Sequence, residues 1–326
     1  MSTLVVVYEL EGNGRKIVSD ALDGAAETIY LPDLDDAARA DALRNADAVL
    51  ARTTRELRHG EIALLKDIRL LQFINAGIDF VPLAELPAGV PVATNGGAYA
   101  EPMAEHALAM AMAVAKRLLV EHAALARGEF NQFARNRMLA GGVCGILGFG
   151  GIGVATARLA RGIGMKVHAV NRRGRSEEPT DWIGTPDQLD LLLSASDVLV
   201  ICTPLTPATQ GMIGAPQLAR MKPDAILVNV ARGEIVDERA LYQRLVTFPR
   251  FSACIDAWWI EPVRHGTFRM DQPFMSLPNV IGSPHNSAAA IAGTGAVGLQ
   301  RAIANIRRAL AGETPLYLVP PADRMM

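Results

Sequence analysis

The run Gly148-Phe149-Gly150-Gly151-Ile152-Gly153 limits what this chain can fold into more than any other stretch. It follows an apolar, β-like run, Val143–Leu147, and precedes a helical pattern, Val154–Ala160. Glycine-rich turns alone are common. A strand, G-x-G-x-x-G spacing and a helix in register point to a dinucleotide-binding turn. Gly148 would make the tight turn, Gly150 would let the main chain approach a pyrophosphate, and Gly153 would let the helix pack close to the sheet. The N-terminus of the helix that follows would supply N–H groups and positive potential that favour an anion. Gly148, Gly150, Gly151, Ile152 and Gly153 are therefore candidate cofactor contacts.

Strand-like runs recur around this turn at Lys166–Val170, Val198–Cys202, Ala225–Val230, Ser252–Asp256 and Val280–Ile281, with helical patterns between most of them. That rhythm predicts a doubly wound parallel sheet. Upstream, Leu4–Tyr8, Thr28–Tyr30, Ala48–Ala51 and Leu70–Ile74 alternate with helical stretches such as Leu34–Asn45. They predict a smaller α/β domain with its own parallel sheet. Pro91 and the Gly96-Gly97 pair break the chain, and a long Ala/Met-rich helix is expected from about Glu101 to Arg127. Pro102 is tolerated in its first turn, where the missing N–H would be unbonded anyway. A Gly/Ala-rich helix from about Ala288 to Ala311 is assigned back to the first domain. The expected division is residues 1–97 with 288–326, and residues 98–287.

The length of 326 residues suits two cores better than one. A net charge of −2 leaves no basic face for nucleic acid or an anionic membrane. Leu4–Tyr8 is too short for a membrane span and lacks the flanks of a signal peptide. Cys144, Cys202 and Cys254 are odd in number, lie in apolar runs and show no metal-ligand spacing. They read as reduced core residues of a cytoplasmic protein without a metal.

Chemistry-bearing residues cluster where strands end. Arg232 follows Ala225–Val230, Asp256 and Glu261 follow the next run, and His285 follows the last. Thr203-Pro204 ends the run Val198–Cys202. In sheets of this kind ligands bind at the carboxyl ends of strands. Singly, each of these residues has an ordinary structural explanation; together they suggest a site.

The segments Val228–Asp237, Asp256–Pro262 and Asn279–His285, with Ile74–Asp79 and Met103–Leu108, resemble signature regions of the D-isomer-specific 2-hydroxyacid dehydrogenases. The resemblance implies two Rossmann-like doubly wound parallel-sheet domains with a cleft between them, the first binding substrate and the second the dinucleotide. It implies a homodimer, a nicotinamide cofactor, and reduction of a small 2-keto acid, such as glyoxylate or hydroxypyruvate, to the D-2-hydroxy acid. By position, Arg232 would bind the substrate carboxylate and polarise its carbonyl, a task suited to a planar, permanently charged fork. His285 would donate the proton, and Glu261 would orient it and favour its charged form. Ala76 and Gly77 would offer main-chain N–H groups to the carboxylate. Asp256 would hold the nicotinamide carboxamide, with Thr203, Pro204 and Val230 as further cofactor contacts.

Several positions depart from the family pattern. The stretch Ala257-Trp258-Trp259-Ile260 stands where the family has a small aliphatic residue and then a phenylalanine; its two tryptophans read as packing residues, while Val263–Phe274 is basic and aromatic. His106 and His122 read as structural residues of the long helix. Past Lys166–Val170, where an NAD site carries an acid, stand Asn171, Arg172 and Arg173. Guanidinium groups suit a 2′-phosphate, which places NADP ahead of NAD. The competing readings are a non-catalytic, cofactor-sensing protein of this fold and a formate-dehydrogenase-like enzyme; the latter carries glutamine where this chain has Glu261.

Overall fold

A computed structural model describes residues 1–87, 89–289, 294–320 and 324. It contains two sheets in which every strand pairing is parallel. The first is built from β1 (Ser2–Val6), β2 (Ala26–Tyr30), β3 (Ala48–Ala51), β4 (Leu70–Phe73) and β5 (Val92–Ala93), in the order β2-β1-β3-β4-β5. The second is built from β6 (Val143–Leu147), β7 (Lys166–Val170), β8 (Trp182–Gly184), β9 (Val198–Ile201), β10 (Ile226–Asn229), β11 (Ser252–Ile255) and β12 (Val280–Gly282). Its order is β12-β11-β10-β9-β6-β7-β8, so the winding reverses between β6 and β9. Parallel strands covered on both faces need continuous apolar runs. Accordingly β3, β9, β10 and β11 are buried along their whole length.

The connecting helices are α1 (Gly14–Leu22), α2 (Asp36–Arg44), α3 (Ala100–Ala115), α4 (Leu118–Ala126), α5 (Gly151–Gly162), α6 (Leu189–Ala195), α7 (Ala215–Arg220), α8 (Glu238–Thr247), α9 (Pro262–His265) and α10 (Thr294–Leu310). Local chemistry explains their starts. The Asp35 carboxylate caps α2 by accepting from Ala38 N at 2.9 Å, and Asp237 caps α8 through Ala240 N at 2.7 Å.

The chain divides into two compact units, Met1–Tyr99 with Ile291–Met326, and Ala100–Ala290. In the first, Leu299, Ala302, Ile303, Ile306 and Ala309 of α10 join the core of β1, β3 and β4. In the second, α3 packs on α5 and on β10, β11 and β12. All three cysteines are free, and burial pushes the Cys254 thiol up and the Cys144 thiol up to about 12. Both therefore stay protonated packing groups. Among the described residues no helix is long and apolar enough to cross a membrane, and no cluster of metal-ligating side chains occurs.

The structure corrects three expectations about elements. The long helix from Glu101 to Arg127 is broken: Arg117 takes a left-handed conformation, φ 55°, between α3 and α4. β5 and β8, with two and three residues, are too short to leave a hydrophobic pattern. The expected helix from Ala288 begins at Thr294 as described, and residues 290–293 lie outside the described residues.

Candidate active site

β10, β11 and β12 are neighbours in the second sheet, and their exits carry Arg232, Glu261 and His285. Asn229, buried at the end of β10, shapes the first exit. Its Oδ1 accepts from Ala231 N at 3.0 Å and its Nδ2 donates to Arg232 O at 2.8 Å. Gly233 then runs so close to the next exit that a Cβ there would lie 2.5 Å from the main chain of Trp258 and Trp259. Only glycine permits that approach. The half-buried Arg232 guanidinium donates to Ala231 O at 2.8 Å, and its charge is felt at Glu261.

Glu261 is buried, 6% exposed, and faces His285. Its Oε1 and Oε2 lie 2.9 and 2.8 Å from His285 Nδ1, and Oε1 also accepts from Trp258 N at 2.6 Å. Burial alone would raise the Glu261 carboxyl. The His285 hydrogen bond and charge, the Trp258 N–H and the Arg232 charge outweigh it and hold the group below its ordinary value. An ionised carboxylate accepts only, so His285 Nδ1 carries a proton and Nε2 is the nitrogen left for chemistry.

His285 itself has φ 50°, a left-handed conformation that costs a non-glycine residue about 1 kcal/mol. The fold holds it there through Asp256, whose carbonyl accepts from His285 N at 3.0 Å. The Asp256 carboxylate accepts from Ser283 Oγ at 2.6 Å, Asn286 N at 3.2 Å and Ser287 N at 3.3 Å. Sequence reasoning places Asp256 against a nicotinamide carboxamide. In the structure the residue is 0% exposed and its oxygens are engaged by the loop that bears His285. Val230, also 0% exposed, places its side chain in the core.

The glycine turn fits a dinucleotide. Gly148 has φ 94°, and a Cβ there would stand 2.6 Å from Thr203 N, so the turn lies directly against the exit of β9. Gly153 packs against Gly148 O in the same way. Beside Gly150 the space is open, with no atom within 4 Å of an added Cβ, which is the room a pyrophosphate needs at the start of α5. Gly151 and Ile152 open that helix, and Thr203-Pro204 faces the turn.

Past β7 the chain turns on Asn171. The sequence assigns this amide to ribose or phosphate; in the structure it also braces the loop. Its Oδ1 accepts from Arg173 N at 2.9 Å and its Nδ2 donates to Arg175 O at 3.0 Å. Arg172 and Arg173 are exposed on this loop. The half-buried acid that follows, Glu178, is turned to α5, where it pairs with Arg158 at 2.9 Å and Arg161 at 3.0 Å.

In the first unit, Asn75-Ala76-Gly77 leaves the end of β4. Asn75 Nδ2 donates to Arg52 O at 2.8 Å and ties the loop to the exit of β3. Among the described residues the N–H groups of Ala76 and Gly77 meet no acceptor. On both sides of Glu261 the chain is tied to its own neighbours. Trp259 stacks on Phe274 at 5.4 Å, Trp258 Nε1 donates to Ser283 O at 2.8 Å, and Arg264 pairs with Glu234 at 2.6 Å. His265 Nδ1 accepts from Glu261 N at 3.0 Å.

A doubly wound sheet with a glycine phosphate turn, and a carboxylate–imidazole pair beside an arginine at adjacent strand ends, define a nicotinamide-dependent oxidoreductase. The family model described as D-isomer specific 2-hydroxyacid dehydrogenase, NAD binding domain, matches residues 108–287. The chain belongs to this family of NAD-dependent enzymes. It is 28% identical to a hydroxypyruvate reductase of Thermotoga maritima over 78% of this chain and 82% of that one. It is 35% identical to a glycerate dehydrogenase of Methylorubrum extorquens over 70% and 72%. A D-isomer specific 2-hydroxyacid dehydrogenase from Xanthobacter autotrophicus Py2, solved with NADPH and MES, superposes with a TM-score of 0.78 at 25% identity, covering 98% of each chain.

Proposed function

We propose that the chain reduces a small 2-keto acid of the glyoxylate or hydroxypyruvate kind to the D-2-hydroxy acid, with NADPH preferred over NADH. The observation that carries this reading is the Glu261–His285 pair, which fixes the imidazole tautomer and leaves Nε2 to handle a proton. A bound nicotinamide supplies the hydride. Arg232 binds the substrate carboxylate and draws charge toward the carbonyl oxygen, because its fork reaches two oxygens at once. In the first unit, the N–H groups of Ala76 and Gly77 are the candidate main-chain donors for a carboxylate. His285 gives the Nε2 proton to the carbonyl oxygen in reduction and recovers it in oxidation, while Glu261 balances the charge of the imidazolium.

The cofactor preference rests on the exit of β7. No carboxylate stands there to bond ribose hydroxyls or repel a 2′-phosphate; Arg172 and Arg173 are exposed instead, with Asn171 shaping their loop. The test is a panel of 2-keto acids assayed with NADPH and NADH, in the wild type and in Arg172→Ala. The expected result is a higher kcat/KM with NADPH, lost mostly through KM in the variant. A wild type that prefers NADH overturns the preference, and a panel without turnover overturns the activity.

A further inference from the structure

His106 lies on α3, 177 residues from its partner in the chain, and nothing in the reaction described above uses it. We propose that His106 is a positioning residue: through Ser283 it holds Asp256 in the orientation that folds the loop bearing His285. The proposal rests on His285 being the proton donor.

The contacts form an unbroken line. His106 Nε2 is 2.9 Å from Ser283 Oγ, and Ser283 Oγ is 2.6 Å from Asp256 Oδ1. The same imidazole nitrogen is 3.7 Å from that carboxylate oxygen. Asp256 in turn gathers the N–H groups of Asn286 and Ser287 with its side chain and that of His285 with its carbonyl. The residues on either side of the proton donor are thus fastened to one buried carboxylate. That fastening matters because His285 is held at φ 50°, a conformation the residue does not choose by itself.

Counting protons fixes the direction of each bond. A hydroxyl has one hydrogen, and two acceptors lie near Ser283 Oγ: Asp256 Oδ1 at 2.6 Å and Met110 Sδ at 3.8 Å. A carboxylate that receives two other N–H groups is an acceptor, and it takes the hydroxyl hydrogen in preference to a thioether. Ser283 Oγ must therefore accept from His106, and His106 must carry hydrogen on Nε2. The line runs His106 Nε2–H to Ser283 Oγ–H to Asp256 Oδ1. It survives protonation of His106, because the imidazolium presents the same N–H. With an apolar side chain at 106 the hydroxyl would lose its donor and its fixed rotamer, and Asp256 would lose a firmly directed bond.

The test has two arms. In the first, nitrogen-15 spectra of the imidazole rings in the cofactor-free protein read the tautomers directly. His106 is expected as the Nε2–H tautomer, and the His285 ring signals are expected to shift or broaden in His106→Leu and to recover in His106→Gln, which keeps a donor at the same reach. In the second, 2-keto acid reduction is expected to fall about ten-fold in kcat in His106→Leu with KM little changed, a loss of positioning and not of binding. His106→Gln should recover most of that loss. An Nδ1–H tautomer in the wild type overturns the proposal, as does an apolar variant whose His285 signals and kcat match the wild type. The tautomer is read in the wild type, so a variant that fails to fold leaves the test standing. A wild type without keto-acid turnover counts against the proposed reaction, while the first arm still decides the role of His106.

Discussion

Glu261 keeps its charge in a buried place because His285, Trp258 and Arg232 all favour the anion. Its carboxyl titrates below the ordinary value of 4.5, so the native state binds fewer protons than the unfolded chain as pH approaches that value. The pair's contribution to stability is present above about pH 4.5 and disappears as pH falls through the lowered value. Glu261→Gln should therefore be less stable than the wild type at neutral pH, with the difference shrinking in acid; urea unfolding across pH measures it. The same variant should move the pH–rate profile of reduction to lower pH, since the imidazolium loses its anion. An unmoved profile would separate Glu261 from the acid–base step. Arg232, Glu261 and His285 could be picked out in the sequence because each follows an apolar run ending a strand. Ser283 and His106 could not, because their partnership joins distant segments and no spacing encodes it. Asp256 was visible as a residue but not in its orientation, which depends on a folded loop.

The glycine turn and α5 can be tested as a unit, because its glycines serve different ends. Gly148→Ala sets a Cβ against the main chain of Cys202 and Thr203 at φ 94° and should lower stability by about 2 kcal/mol or more. Gly150→Ala meets nothing within 4 Å and should leave thermal unfolding nearly unchanged while weakening dinucleotide binding. Fluorescence titration with NADPH against thermal melts separates the two. Equal loss of binding and stability in both variants would mean that Gly150 has no ligand to accommodate. Long elements such as β6, β7 and α5 were readable because periodicity accumulates over several residues. The break at Arg117 was not, since a left-handed arginine carries no local mark of the kind glycine does.

At the scale of the molecule, α4 has no buried residue, and Leu118, Leu119 and Leu125 stand exposed on it. Phe130 and Phe133 follow, 78% and 83% exposed. Apolar exposure of this extent marks an association surface, and a second copy of the chain is the expected occupant. Light scattering at micromolar concentration should find a dimer, and Leu119→Glu with Leu125→Glu should yield monomer. A wild type that is monomeric refutes it. The two-unit division has a different consequence, which concerns synthesis. The core of Met1–Tyr99 includes α10, yet the whole of Ala100–Ala290 is translated before that helix exists. At ordinary elongation rates the delay is on the order of ten seconds or more. During it the first sheet lacks the helix that covers β3 and β4. The part of the chain made first is thus the part completed last, and the newborn protein is most exposed to aggregation through its earliest residues.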